Sequence, residues 1–141
     1  MSEIIVKSQA EWDAIPKDFY GIVYINADRE AVIIVKEKRG WRVDARGNAS
    51  VVARGNASVV ARENASVVAR ENASVDAREN ASVDAWGNAS VVARGNASVV
   101  ARENASVDAW GNASVDGKGN TQIAKYSDDA KLTIAGNARI V

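Results

Sequence analysis

The sequence predicts an all-β chain wound as a parallel β-helix, a β-solenoid, and three observations carry that reading. Residues 43–114 are nine unbroken copies of one octapeptide, V-[VD]-A-[RW]-[GE]-N-A-S, followed by a looser tenth copy, VDGKGNTQ, at Val115–Gln122. A short fixed period over half of a 141-residue chain is the mark of stacked repeats. Second, each copy alternates in the strand sense. Ala57, Val59 and Ala61 fall on one face and Ser58, Val60 and Arg62 on the other. The first set is constant through the nine copies and points inward; the second carries the polarity and points out. Third, the pair [GE]-N recurs between strands as a corner. Glu is a poor residue for positive φ, so the left-handed position is expected at Asn, whose side chains could stack as a hydrogen-bonded ladder.

The elements follow in order. Ser8-Gln9-Ala10-Glu11 reads as a capping box, with Trp12 and Ile15 on one helical face and Pro16 as the stop, giving a short helix over 8–15. Gly21–Asn26 (GIVYIN) is β-branched and aromatic, hence a strand; Asp28-Arg29-Glu30 turns; Ala31–Lys36 (AVIIVK) is a second strand; KEKRG at 36–40 turns again. Residues 1–42 thus form an N-terminal cap of a short helix plus strands, covering the core and open strand edge of the solenoid's first coil. Trp12, Phe19, Tyr20 and Tyr24 are expected to pack in it. The solenoid proper occupies 43–124. In 125–141 the register slips: Asn120 and Asn137 are 17 residues apart, so one residue is inserted, as a bulge at a corner. That segment is read as an irregular terminal coil and an assembly end.

Two octads per coil would give a flat 16-residue coil, and three a triangular 24-residue coil. The small-large-small gradient of Ala-Val-Ala favours the triangle. So does the 24-residue spacing of Trp86 and Trp110, which would stack them on one face; a 16-residue coil would set them on opposite faces. The expectation is therefore triangular, with roughly five coils spaced ~4.8 Å apart.

Composition excludes several functions. Eighteen basic and eighteen acidic residues cancel, which argues against a nucleic-acid or anionic-membrane partner. There is no Cys and no His, so thiolate sites, the commonest metal ligand and the commonest general base are missing. No catalytic, cofactor-binding or metal-binding residues are assigned, and the chain is read as not an enzyme. The N-terminus shows no signal-peptide pattern and no apolar run approaches ~18 residues, so a cytoplasmic location is expected. The nine NAS tripeptides are formal glycosylation acceptors but follow from the repeat. An ice- or glycan-binding role for the Ser rows is disfavoured by the Arg and Asp on the same strands.

The sharpest surface feature is Asp84 and Trp86 with Asp108 and Trp110. Exposed aromatics beside carboxylates are enriched in recognition surfaces, and with outward Arg62 these form the candidate partner-binding face. Leu132, Ile134, Ile140 and Val141 would expose apolar surface and strand edge in the last coil. They are the candidate self-association end, predicting a homodimer.

Residues 43–122, with the A-x-[GE]-N-[AS]-x-V motif and the N-terminal EWDAIPKDFYGIVYI, resemble the octapeptide-repeat β-solenoid proteins of phages and bacterial mobile elements. That resemblance implies a β-helix, a bacterial host cell and no catalytic residues. A weaker likeness is to bactofilin-type polymerising β-helices, from which the small inward Ala-Val-Ala departs. The expected function is a protein-interaction scaffold, a phage or mobile-element factor that binds and inhibits a host defence protein. The alternative is a structural β-helix that assembles into a dimer or filament.

Overall fold

The computed structural model describes residues 2–37 and 41–141; the last three residues of the turn expected at 36–40 lie outside the described residues. The chain is a β-solenoid of about eight turns; the described residues form sixteen parallel-paired strands and one short helix. The first elements are β1 (Ser2–Val6), α1 (Gln9–Asp13), β2 (Gly21–Ile25), β3 (Val32–Val35) and β4 (Arg42–Ala45). The repeats then supply one strand each: β5 (Ser50–Ala53), β6 (Ser58–Ala61), β7 (Ser66–Ala69), β8 (Ser74–Ala77) and β9 (Ser82–Ala85). They continue as β10 (Ser90–Ala93), β11 (Ser98–Ala101), β12 (Ser106–Ala109) and β13 (Ser114–Gly117). The chain closes with β14 (Gln122–Lys125), β15 (Lys131–Ile134) and β16 (Arg139–Ile140).

Successive strands alternate between two sheets. A nine-stranded sheet runs β1-β2-β4-β6-β8-β10-β12-β14-β16, and a seven-stranded sheet runs β15-β13-β11-β9-β7-β5-β3. Within the repeats each residue pairs with the one 16 positions on: Ser58 with Ser74, Val59 with Val75, Ala61 with Ala77. This corrects the triangular expectation. A coil is two octads, 16 residues, and there are two sheets rather than three. The Ala-Val-Ala gradient has another cause. Each strand runs between two tight corners, and a small side chain suits the inward position next to a corner while a larger one suits the middle of the strand. Ala57 and Ala61 are fully buried next to the corners, with Val59 between them 2% exposed.

The corners correct a second expectation. The carbonyl of the residue before [GE] accepts from the N–H three residues on, as in Ala49 N–H to Arg46 O at 3.1 Å. Positive φ falls at the first central residue, not at Asn: 56–59° at Glu63, Glu71, Glu79 and Glu103, and 57–67° at the corner glycines. That is the φ pattern of a type II′ turn. Its cause is the ladder between coils. The central peptide of each corner lies along the solenoid axis, so that Asn64 N–H donates to Gly47 O at 3.0 Å and Asn80 N–H to Glu63 O at 3.0 Å. Asn side chains form a ladder only late, Asn120 to Asn104 at 3.4 Å and Asn137 to Asn120 at 3.3 Å.

The ends join the same sheets. β1, which the sequence analysis leaves unassigned, pairs with β2 from Ser2–Gly21 to Val6–Ile25. The helix is capped by Ser8, whose Oγ accepts from Glu11 N–H at 3.2 Å, but Glu11 accepts from Lys7 N–H at 2.7 Å rather than from Ser8. Its buried Trp12 meets Trp41 edge-on at 6.1 Å, and Phe19 meets Trp41 at 5.7 Å. Tyr20, expected in that cluster, is 71% exposed. At the other end β15 and β16 keep the ladder with a 17-residue offset, Ser114 to Lys131 and Gln122 to Arg139. The extra residue sits in the corner 127–129, where Asp129 N–H donates to Ser127 Oγ.

Glutamate at positive φ costs about 1–2 kcal/mol of backbone strain, and glycine returns part of that as unfolded-state entropy. Glu63→Gly is therefore expected to stabilise the fold by about 1 kcal/mol in urea unfolding. The reverse change, Gly95→Glu, is expected to destabilise it by a similar amount.

Candidate functional site

The 16-residue register decides which outward side chains are neighbours. On the nine-stranded sheet the column beside Ser runs Tyr24, Asp44, Val60, Asp76, Val92, Asp108, Ala124. On the seven-stranded sheet it runs Ile34, Val52, Val68, Asp84, Val100, Asp116, Thr133. No aspartate is stacked directly on another in either column. These aspartates are kept at least two coils apart, roughly 10 Å, which spares the repulsion of adjacent carboxylates.

The residues that open the corners form two further columns, joined by backbone hydrogen bonds. The corner after the nine-stranded sheet carries Arg46, Arg62, Arg78, Arg94, Trp110 and Tyr126. The corner after the seven-stranded sheet carries Arg54, Arg70, Trp86, Arg102, Lys118 and Ala135. Trp86 and Trp110 therefore lie at opposite edges of the solenoid. The expected single face of Ser82-Asp84-Trp86 below Ser106-Asp108-Trp110 does not exist. Asp84 and Trp86 belong to one edge. Asp108, Trp110 and Arg62 belong to the other, and Arg62 stands three coils before Trp110 on its column.

Arginines reach back to the aspartates of their own or the preceding coil. Asp44, 2% exposed, is held by Arg42 Nε at 2.7 Å, Arg62 Nε at 3.4 Å and Arg46 Nη2 at 3.8 Å. Asp76 takes Arg78 at 2.8 Å and Arg94 at 3.7 Å. Its hydrogen bond and its charge hold the Arg78 guanidinium above the ordinary value. Asp84 takes Arg102 Nε at 3.5 Å, and the same guanidinium lies over the Trp86 ring at 4.5 Å. Arg46 lies likewise over Tyr24 at 4.1 Å.

The pattern breaks at Asp108. The two positions that would supply its cations are Trp110 and Tyr126, and these rings stack on each other at 4.4 Å and 10°. They are 42% and 55% exposed. Among the described residues Asp108 has no ion pair. Tyr126 is the residue that sequence reasoning missed; the signal was its place 16 residues after Trp110.

Two shallow grooves follow the sheet faces. One of about 850 Å³ runs along the seven-stranded sheet between the Ser50–Ser114 row and the Val52–Asp116 column. One of about 460 Å³ runs along the nine-stranded sheet from Trp41 to Asp108. At the last coil Ile134, Ile140 and Val141 are 40%, 53% and 67% exposed, while Leu132 is half-buried. Among the described residues no three His, Cys, Asp or Glu side chains converge as a metal site, and no helix is long and apolar enough to cross a membrane.

The aspartates differ in burial, and this sets their weight. Asp44→Ala is expected to cost about 2–3 kcal/mol in chemical denaturation, because three arginines lose a buried partner. Asp116→Ala removes one exposed contact to Lys118 at 4.0 Å and is expected to change stability by less than about 0.5 kcal/mol. No protein-family model, curated protein or solved structure matches this chain.

Proposed function

We propose that the chain is a non-enzymatic protein-interaction scaffold, with its partner-binding surface at the corner formed by Asp108, Trp110 and Tyr126. One observation carries this reading. It is the place where a repeated Arg–Asp surface is replaced by a stacked, exposed aromatic pair beside a carboxylate that has no cation. Large aromatics on a rigid frame supply contact area with little loss of side-chain entropy. The parallel ladder fixes their spacing without help from a loop. The sequence resemblance to phage and mobile-element solenoids suggests a host protein as the partner and inhibition as the outcome. Residues 1–42, with Trp12, Phe19 and Trp41 packed together, serve as the cap that shields the first coil.

The test is capture from a bacterial lysate with the wild-type chain and with Trp110→Ala/Tyr126→Ala, followed by binding of the recovered protein in purified form. The purified partner is expected to lose at least tenfold in affinity for the double variant and to bind Trp86→Ala normally. Equal binding to all three would remove the Trp110 corner as the interface.

Self-association through the last coil is a second reading, favoured by the exposed Ile134, Ile140 and Val141. Light scattering on the 141-residue chain is expected to give a dimer that Ile140→Lys converts to monomer. A wild-type monomer excludes the idea, and a filament points to end-to-end polymerisation instead.

A further inference from the structure

We propose that the Asp108–Trp110–Tyr126 corner is a receptor for a guanidinium group, an arginine side chain presented by a protein partner. The inference rests on the reading of that corner as an interface and adds the chemistry of what enters it.

The chain contains the filled form of the same site. At the opposite edge Asp84 and Trp86 occupy the same two repeat positions as Asp108 and Trp110. There the residue 16 places after the tryptophan is Arg102. Its guanidinium covers the Trp86 ring at 4.5 Å while its Nε stands 3.5 Å from Asp84 Oδ1. Trp86 is thereby half-buried. Near Asp44 the same two contacts recur: Arg46 lies over Tyr24 at 4.1 Å and 3.8 Å from the carboxylate. One planar cation thus meets an aromatic face and a carboxylate together, which an ammonium point charge does less well.

At Trp110 no cation among the described residues takes that place. The residue 16 places on is Tyr126, and its ring stacks on Trp110. The preceding arginine of the column, Arg94, is turned toward Asp76 at 3.7 Å. Lys125, next to Tyr126, pairs with Ala109 in the ladder and is exposed, and among the described residues it makes no ion pair with Asp108. In the ladder Asp108 lies between Val92 and Ala124. Asp108 is half-buried, and its ladder neighbour on the Tyr126 side is the short Ala124 side chain. Tyr126 takes the Trp110 face that Arg102 covers on Trp86, so a guest guanidinium entering over Ala124 meets Asp108 and the Tyr126 ring of the stacked pair.

The probe is the blocked tripeptide acetyl-Gly-Arg-Gly-amide, with its citrulline counterpart as the uncharged isostere, followed by NMR of the tryptophan indole N–H groups. The arginine peptide is expected to shift the Trp110 signal saturably, with Kd on the order of millimolar, and to leave Trp86 unmoved. The citrulline peptide is expected to give no saturable shift. Asp108→Asn should weaken binding at least fivefold. Tyr126→Arg should abolish it by supplying the cation from within the chain. Arg102→Ala should open a second site that moves Trp86, which also guards against a variant that fails to fold. A shift of equal size with citrulline, an unchanged affinity in Asp108→Asn, or no response at Trp110 would overturn the proposal. If the purified partner depends on Trp110 while the arginine peptide does not bind, the interface stands and the guanidinium assignment falls. If neither binds through Trp110, both fall.

Discussion

The hydrogen bonds that run through the corners govern this structure. Between strands, a turn usually leaves the ladder. Here the central peptide of each turn stays in it, with Asn64 N–H on Gly47 O and its equivalents repeating along both edges. Keeping that peptide along the axis requires positive φ at the preceding residue. Glycine accepts this without strain, and four glutamates accept it at a cost. The return is a constant register. Through the repeats each residue lies beside the one 16 positions on, so inward residues meet inward residues and each outward position becomes a column.

Those columns explain the surface. A stack with ~4.8 Å spacing would bring identical charges within strong repulsion if each coil carried the same aspartate. The repeat avoids this by placing a valine between successive aspartates on each face and by letting arginines bridge to the coil before. The departure at Asp108, Trp110 and Tyr126 stands out against that regularity, because the frame around it is the same as elsewhere and only the side chains differ.

Much of this was legible in the sequence where it depends on nearest neighbours. The Ala-Val-Ala core, the corner at [GE]-N, the Ser8 cap and the inserted residue before Asn137 all follow from local spacing. Coil length was not legible from side-chain size, since a two-sided coil closed by tight corners admits the same small-large-small order as a triangle. A better signal lay in the charges. A 24-residue coil would set Asp84 on Asp108, whereas a 16-residue coil keeps every repeat aspartate apart. The positive φ at glutamate was hidden for a different reason. Intrinsic preference assigns it to Asn, and only the demand of the inter-coil ladder moves it one residue earlier. Tyr126 was hidden too, because its meaning comes entirely from what lies one coil before it.

The octapeptide is half a coil, and this gives repeat number a parity. Gain or loss of two octads lengthens or shortens the rod and leaves every later side chain on its own edge. Gain or loss of one octad sends everything after it to the opposite sheet. A single-octad change before Val107 would carry Trp110 and Tyr126 across the solenoid relative to the N-terminal aromatic cluster, while Ala-Val-Ala still faced inward in every repeat. Slippage in such a gene would thus keep the inward faces inward while re-pairing the surface charges, and for the relative orientation of the two ends it would act as a switch between two fixed settings.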